Sequence, residues 1–239
     1  MTTRITGISS MATRDVLAEL AGAYQQRSGI TVKFQSVGGV VAAVRVEAGE
    51  PFDIVVLASD AIDKLVADGH VIAGSKADLV RSGVAIAVCE GSMLPNIGSE
   101  DELRRAVLSA RTIGYSTGPS GVALKKLFER WGIADTIRNR IVQAPPGVPV
   151  GQLVANGEVE LGFQQLSELV HLPGIVVLGT MPPGCEIVTT FSAGLCAMSA
   201  QPEAARALLA FMCSPDVADA KRRHGMEPAN SCELEGIHQ

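Results

Sequence analysis

The chain has 239 residues, a formal net charge of −5 and a pI near 5.4. This length allows a sizeable core, arranged as one large domain or as two small lobes. The acidic balance and the aromatic content of 4% do not provide the basic face or the stacking platforms that nucleic-acid binding needs, so we exclude a nucleic-acid partner. No apolar run is long enough to cross a bilayer, which predicts no membrane insertion.

The five cysteines are an odd number, widely spaced and without a CxxC motif. This pattern favours reduced thiols over a disulfide framework or a zinc site. The four histidines are isolated and no pair has metal-ligand spacing, so neither a metal nor another cofactor is predicted. The sequence as given has no apolar segment typical of a secretory signal. We therefore expect the cytoplasm, or the periplasm if a signal was removed.

Apolar strands and amphipathic helices alternate along the chain, which predicts an α/β fold with a mostly parallel sheet. Strands are predicted, in chain order, over residues 4–8, 31–35, 53–57, 84–88, 112–116, 139–143 and 159–163. Helices are predicted over residues 12–27, 40–48, 59–67, 100–109, 121–131, 148–156, 202–213 and 215–223. An irregular tail is expected after Pro228.

The apolar stretches 84–88 and 187–198 are each expected to cross from one lobe to another. The predicted lobes are residues 1–84 with 190–239, and residues 85–189. Two such crossings would leave a cleft between the lobes. Because ligands of open parallel sheets lie beyond the carboxyl ends of the strands, we expect a binding site in that cleft.

Four turns rich in serine, glycine or proline lie between a predicted strand and the next helix. They are Ile8-Ser9-Ser10-Met11, Ser36-Val37-Gly38-Gly39, Ser116–Gly121 and Pro145-Pro146-Gly147-Val148. The first turn of a helix has N–H groups without an internal partner, and the helix dipole is positive at that end. A small anion bound there satisfies both, whereas the alternative is a set of ordinary caps and tight turns. Taken together, the four turns favour an anion-binding site.

Three further segments carry a family resemblance: Asp15–Leu20 followed by Gly29, Glu47–Ile54, and Asn156–Phe163. They resemble segments of the molybdate-binding-protein family, and the likeness covers residues 4 to about 228. The resemblance implies a type II periplasmic-binding-protein fold, with two lobes, two crossover strands and an inter-lobe cleft. It also implies a solute-binding protein that serves an ABC transporter or a sensor.

In that family the anion is bound by serine hydroxyls of two turns, by backbone N–H groups of two others, and by a tyrosine. On this chain the resemblance implies ligand-binding roles for Ser9 or Ser10, Gly38, Gly39, Ser116, Ser120, Gly121, Val148, and Gln164 or Gln165. Gly39 has no hydroxyl, and the pair Gln164-Gln165 replaces the tyrosine. An unmet polar group costs roughly 1–3 kcal/mol, so these changes alter which anion fits. A carboxylate is favoured over molybdate.

Arg45 is expected on the second helix, where its planar guanidinium could bind a carboxylate through two parallel hydrogen bonds. The alternative is a surface arginine paired with Glu47 or Glu50. The amides of Gln164 and Gln165 also have two interpretations. They could bind a carboxylate or hydroxyl of the ligand, or they could satisfy backbone groups.

Gly162–Leu169 and the following Pro173-Gly174 resemble a subgroup of the family that is similar to aconitate isomerase. This gives a second hypothesis, a cytosolic isomerase or tautomerase that acts on a polycarboxylate such as aconitate. Isomerisation needs a base near the substrate carbon with a pKa near neutral pH. Glu168 and His171 are the nearest candidates in the sequence, and the alternative for both is a solvated helix end. Binding is ranked first, because the fold and the turns support it without further assumptions, and catalysis is the alternative.

Overall fold

The computed structural model describes residues 4–145 and 147–229, so the expected tail, Cys232 and His238 lie outside the described residues. The strands are β1 (Arg4–Ser10), β2 (Thr31–Val37), β3 (Ile54–Ala58), β4 (Ala77–Cys89), β5 (Ile113–Tyr115), β6 (Ile141–Gln143), β7 (Leu161–Gln165), β8 (Ile175–Thr180), β9 (Val188–Leu195) and β10 (Glu227–Pro228). The α-helices are α1 (Arg14–Ser28), α2 (Gly39–Glu47), α3 (Ser59–Ala67), α4 (Glu100–Ser109), α5 (Pro119–Arg130), α6 (Ala134–Ile137), α7 (Val150–Ala155), α8 (Leu166–Leu169), α9 (Pro202–Cys213) and α10 (Ala218–Arg223). The predicted α/β alternation is confirmed.

The described residues up to Arg81 and those from Thr190 onward form one compact unit, which we call unit 1. Its strands are ordered β2-β1-β3-β9, with β1 parallel to β2 and β3, and β9 antiparallel to β3. Alternate residues of β3 face opposite ways: Ile54 packs in a core with α1, α9 and α10, whereas Val55 packs in a core with α2 and α3. Because helices cover both faces, β3 is apolar at every position.

Residues Ser82–Thr189 form the second compact unit, which we call unit 2. Here β5 lies between β6 and β7 and is parallel to both. The strand β4 is antiparallel to β7 and to β8. A core that includes Phe128 and Phe163 fills one face, and a smaller core that includes Val150 and Val154 fills the other.

The structure differs from the predicted elements in three main places. β8 was not predicted, because its half-buried residues have no alternating pattern and pair with a strand distant in the sequence. α5 begins at Pro119, earlier than expected, since the fixed φ of proline suits the first helical turn. β4 begins at Ala77 because Leu79 and Val80 are buried in the core of unit 1.

Register places the predicted turns at common sheet edges within each unit. In unit 1, β1 and β2 are parallel, and Ser10 lies opposite Val37, so the turns after these strands begin at the same edge. In unit 2, Tyr115 of β5 lies between Gln143 of β6 and Phe163 of β7. The chain therefore leaves all three of these parallel strands at one edge.

The cysteines follow the sequence expectation only in part. Cys89, Cys185 and Cys196 are free thiols, as expected. Burial raises the pKa of Cys185 to about 11 and that of Cys196 to about 12, so both thiols are protonated at neutral pH. Cys213 is disulfide-bonded, so the expectation of a reduced thiol was wrong at this position.

Across the described parts of the chain, no helix combines the length and apolar character needed to cross a membrane. Nor do these parts bring together three histidine, cysteine, aspartate or glutamate side chains in a group that could hold a metal ion.

Candidate anion-binding site

Ser9 and Ser10 end β1, and the structure gives their hydroxyls different surroundings. The Ser9 hydroxyl lies 2.9 Å from the Ser36 hydroxyl and 3.2 Å from the Ser10 carbonyl oxygen, so it links β1 to β2. The side-chain oxygen of Ser10 is buried and has no hydrogen-bond partner among the described residues. Of the two serines that the sequence offered, Ser10 is therefore the one with an unused donor.

Ser10 lies against the start of α2. A Cβ atom built on Gly39 would be 3.8 Å from the Ser10 Cβ, which is ordinary van der Waals contact. Gly38 is the N-cap of α2 and provides no side-chain acceptor to the first turn. The first backbone bond of the helix runs from the Ala42 N–H to the Gly38 carbonyl at 2.9 Å. The preceding N–H groups are therefore the donors that a helix start leaves without an internal partner.

The guanidinium group of Arg45 forms hydrogen bonds within unit 1. Its Nε and Nη2 donate to the two carboxylate oxygens of Glu50 at 2.8 and 2.6 Å, and its Nη1 donates to Gln35 at 3.1 Å. The guanidinium also lies 5.1 Å from the centre of the Phe52 ring. The hydrogen bond from Arg45 lowers the pKa of the Glu50 carboxyl, and the same bond raises the pKa of Arg45. This geometry is the surface-pair alternative, and Arg45 lies in the last turn of α2, away from Gly38.

In unit 2, the start of α5 packs tightly on the end of β5. Gly118 is the N-cap, and both Ser120 and Gly121 lie buried in the first turn. A Cβ atom on Gly121 would lie 1.8 Å from the carbonyl oxygen of Ser116, so only glycine fits there without movement. Ser116, Ser120 and Gly121 are therefore brought together by one strand-to-helix turn.

The fourth turn precedes the short helix α7. The Val148 N–H donates to the Pro145 carbonyl at 3.0 Å, and Gly147 has a φ of 82°, in the left-handed region that favours glycine. Pro146 lies outside the described residues. Because its N–H is already bonded within the turn, Val148 offers its exposed side chain rather than a free backbone donor.

Gln164 and Gln165 are both buried at the end of β7, on opposite faces of the strand. The Gln164 side chain accepts from the Gly151 N–H at 3.0 Å and donates to Glu168 at 2.8 Å, so it joins α7, β7 and α8. The Gln165 amide nitrogen donates to Thr189 at 2.8 Å, but its carbonyl oxygen has no partner among the described residues. The backbone-satisfying interpretation therefore fits Gln164, and Gln165 keeps an unused polar atom.

Ser167 was not singled out in the sequence, although its hydroxyl is also buried and has no partner in the described structure. It lies in α8, two positions after Gln165. No local pattern in the sequence distinguishes it from a surface serine, because its burial depends on the packing of α8 against β7.

A cavity of about 570 Å³ in unit 2 lies apart from these turns. It is lined by the 92–96 segment, by α4, and by Arg111, Glu160 and Leu161. Leu161 begins β7, whereas Gln165 ends it, so the cavity and the turns are at different ends of that strand. None of the candidate ligand-binding residues lines this cavity.

Comparison with known proteins identifies the class of this protein. A model of the bacterial extracellular solute-binding protein family matches residues 5–227, and the chain belongs to that family. The chain is 37% identical over 232 residues to an aconitate isomerase of a Pseudomonas species. This alignment covers 95% of this chain and 88% of the relative.

Solved structures show the same fold at low sequence identity. The periplasmic molybdate-binding protein of Azotobacter vinelandii has a TM-score of 0.78 at 19% identity, covering 93% of this chain and 98% of that one. The sulfate-binding protein SubI of Mycobacterium tuberculosis also has a TM-score of 0.78, at 17% identity, covering 95% of this chain and 88% of that one. The predicted periplasmic-binding-protein fold is confirmed.

Proposed function

We propose that this chain is a solute-binding protein for a small anion, bound by the uncharged donors of its strand-to-helix turns. The observation that carries the proposal is the Ser10 hydroxyl. The residue is only 9% exposed, and its hydroxyl oxygen has no hydrogen-bond partner among the described residues. The Ser10 side chain lies beside the start of α2, with its Cβ 3.8 Å from where a Cβ on Gly39 would be. Buried polar groups are normally hydrogen-bonded, and an unmet one points to a missing partner such as an ion.

The electrostatics of this corner of unit 1 favour an anion. The N–H groups of the first turn of α2 carry the positive end of the helix dipole, and the Ser10 hydroxyl adds a neutral donor beside them. Arg45 is neutralised by Glu50, so the proposed binding does not depend on a cationic side chain. In unit 2, the first turn of α5 with Ser120 offers the same kind of donor set.

A ligand panel with two variants tests this proposal. We expect at least one of molybdate, tungstate, sulfate, citrate, cis-aconitate and trans-aconitate to raise the melting temperature, since a ligand at 100 times its Kd adds about 2.7 kcal/mol. In calorimetry, Ser10→Ala should weaken that ligand roughly 10- to 100-fold, because a hydrogen bond to a charged group contributes about 1.5–3 kcal/mol.

Ser82→Ala is the matched control, because the Ser82 hydroxyl is also buried and unpartnered but lies within β4. Its affinity should stay within about twofold of the parent. Equal affinities of the parent and Ser10→Ala would remove Ser10 from the site. No stabilisation by any anion of the panel would contradict the proposed function.

The Pseudomonas relative favours a second candidate, catalysis on a polycarboxylate. In such an isomerisation a base takes a proton from a CH₂ group, the double bond moves along the allylic system, and a proton returns to the far carbon. Glu168 is one candidate base, and its carboxylate accepts from Gln164 at 2.8 Å. His171 is the other.

Proton NMR of cis-aconitate and of trans-aconitate, each incubated with the protein, tests the enzyme candidate. If the chain is an isomerase, resonances of the other isomer will grow with time, and Glu168→Gln or His171→Ala will slow their growth at least 100-fold. If the spectra stay unchanged while aconitate still stabilises the protein, the chain binds aconitate without converting it, and the enzyme candidate is wrong.

The proposed function also bears on location. The cytoplasm was the first expectation, with the periplasm as the option for a chain whose signal had been removed. The family is described as extracellular, which supports the periplasmic option.

A further inference from the structure

The cavity of unit 2 has an apolar base. Val88, Ala110 and Leu161 line it and are 2%, 5% and 2% exposed, so its base consists of residues that also belong to the packed interior. Its volume of about 570 Å³ lies within the range of roughly 300–1,000 Å³ that is usual for small-molecule sites. The cavity is therefore large enough, and apolar enough, to hold the body of an organic ligand.

The segment 92–96 forms one wall of this cavity and adds a large apolar side chain. Met93 lines the cavity and is 94% exposed. The wall is tied to α4, because the carboxylate of Glu102 accepts from the Asn96 amide at 2.6 Å and from the Ser99 hydroxyl at 3.1 Å. A methionine side chain is unbranched and polarizable, so it adapts to apolar surfaces of irregular shape. An apolar ligand would thus be contacted from the base and from this wall.

The charged residues that line the cavity differ in one respect. Glu102 is engaged as described above, and Glu160 accepts from the backbone N–H and the Nε of Arg111, both at 2.9 Å. Arg105 of α4 lines the cavity too, but it has no hydrogen bond or ion pair to any described residue. Its guanidinium carries five donors and a permanent positive charge. Arg105 is therefore available to an anionic group of a ligand.

We propose that this cavity is a second ligand site, which takes an amphipathic monoanion: a molecule with a bulky aromatic or alkyl body and one sulfonate, sulfate or phosphate group. The charged group binds Arg105, and the body contacts Val88, Met93 and Leu161. Both parts are needed. A single exposed guanidinium holds a small inorganic anion weakly, because water and salt screen the charge, whereas burial of an apolar body adds affinity in proportion to its area.

This site is separate from the candidate anion-binding turns, so the inference does not rest on the proposed function. Leu161 begins β7 and lines the cavity, whereas Gln165 ends that strand beside the turns. Five residues of extended strand place these two ends about 13 Å apart. A ligand in the cavity therefore leaves the turns of unit 2 accessible.

Two fluorescent probes with the same body test the ligand class. 8-Anilino-1-naphthalenesulfonate has an aromatic body and one sulfonate, and N-phenyl-1-naphthylamine is that body without the sulfonate. Both fluoresce more strongly in apolar surroundings, so titration gives a Kd for each. We expect the sulfonate probe to bind about fivefold more tightly or better, because only it pairs with Arg105. Non-specific apolar adsorption favours the neutral probe, so a sulfonate probe that binds no more tightly would overturn the inference.

Variants of α4 test the residues. Arg105→Gln should weaken the sulfonate probe about fivefold and leave the neutral probe within about twofold. Arg104→Gln is the matched control, because Arg104 is an exposed neighbour that does not line the cavity, and it should change neither Kd. Ser109 is exposed and lines the cavity, so Ser109→Trp should fold normally, fill the space and abolish binding of both probes. Equal effects of Arg105→Gln and Arg104→Gln would contradict the proposed site.

Competition separates this inference from the proposed function. An anion of the earlier panel that stabilises the protein should not displace the sulfonate probe, and Ser10→Ala should leave the Kd of the probe within about twofold. Displacement would show that the probe occupies the turns, and the second site would then be wrong. If no anion of the panel binds but Arg105→Gln still weakens the sulfonate probe, the proposed function fails and the second site stands.

Discussion

Lys221 is a buried cation of unit 1. Its side chain lies in α10 and the residue is only 3% exposed, and no described carboxylate forms an ion pair with it. Burial lowers the pKa of its ammonium group from the ordinary 10.5 to about 8. Because water solvates the charged form far better than the core of unit 1 does, Lys221 destabilises the fold at neutral pH.

The pH dependence of stability follows from this shift. Between about pH 8 and 10.5 the unfolded chain holds the Lys221 proton more strongly than the folded chain, so the free energy of unfolding should rise with pH across that range. Lys221→Met should raise stability below pH 8 by roughly 2–3 kcal/mol and remove this rise. Urea unfolding at pH 7, 8, 9 and 10 measures both effects.

Lys33→Met is the control for that prediction, because Lys33 lies exposed on β2. It should change stability by less than about 0.5 kcal/mol at any of these pH values. If Lys221→Met is no more stable than the parent at pH 7, the ammonium group is solvated in the folded state. Its burial would then not destabilise the fold, contrary to the prediction.

At the scale of the element, the contact between α5 and β5 depends on one missing side chain. Gly121→Ala places a Cβ atom 1.8 Å from the Ser116 carbonyl oxygen, so the helix start must move away from the strand. We expect a loss of roughly 1–3 kcal/mol or more, as for other overpacked sites. The midpoint of urea unfolding measures this loss.

Gly118→Ala is a matched control on the same turn. Gly118 has a φ of −74°, and its nearest contact to an added Cβ would be the Ser116 hydroxyl oxygen at 3.7 Å. Alanine is a weaker N-cap than glycine, so a cost below about 1 kcal/mol is expected. Similar midpoints for the two variants would show that α5 adjusts freely.

The elements themselves were predictable where the signal is local. Gly29 follows α1 in the left-handed conformation, and Ser99 caps α4 by accepting a hydrogen bond from the Glu102 N–H. A short sequence window predicts a helix end at the first and a helix start at the second. β8 was missed because it is stabilised by pairing with β4, a contact between segments far apart in the sequence. Local patterns do not contain that information.

The turns of the candidate site could be located from the sequence, but the hydrogen bonds of their side chains could not. The turns could be located because glycine and serine have local conformational preferences. The partner of Arg45 could not be chosen between Glu47 and Glu50, because the choice depends on how the chain bends after α2. The difference between Ser9 and Ser10 likewise depends on the register of β1 with β2, which pairs Ser9 with Ser36. The roles of these residues in binding stay predictions.

At the scale of the whole molecule, unit 1 is assembled from two separate parts of the chain. The buried Asp53 carboxylate joins them: it accepts from the Thr6 N–H at 2.8 Å and from the Ser199 hydroxyl at 2.7 Å. The sequence analysis placed residues 190–239 with the first lobe because two apolar stretches were expected to cross between lobes, and that division stays a prediction. The Asp53 contacts were not predictable, because they link positions that no sequence window contains together.

This layout has a consequence for the order of events during synthesis. A ribosome makes the amino-terminal part of unit 1 first, but the strand β9 and the helices α9 and α10 that complete its core come last. Unit 2 is a continuous segment and is finished earlier. Until residue 190 and those after it emerge, β3 lacks its antiparallel neighbour and exposes an apolar edge. The growing chain is therefore most prone to aggregation in the interval before β9 is made.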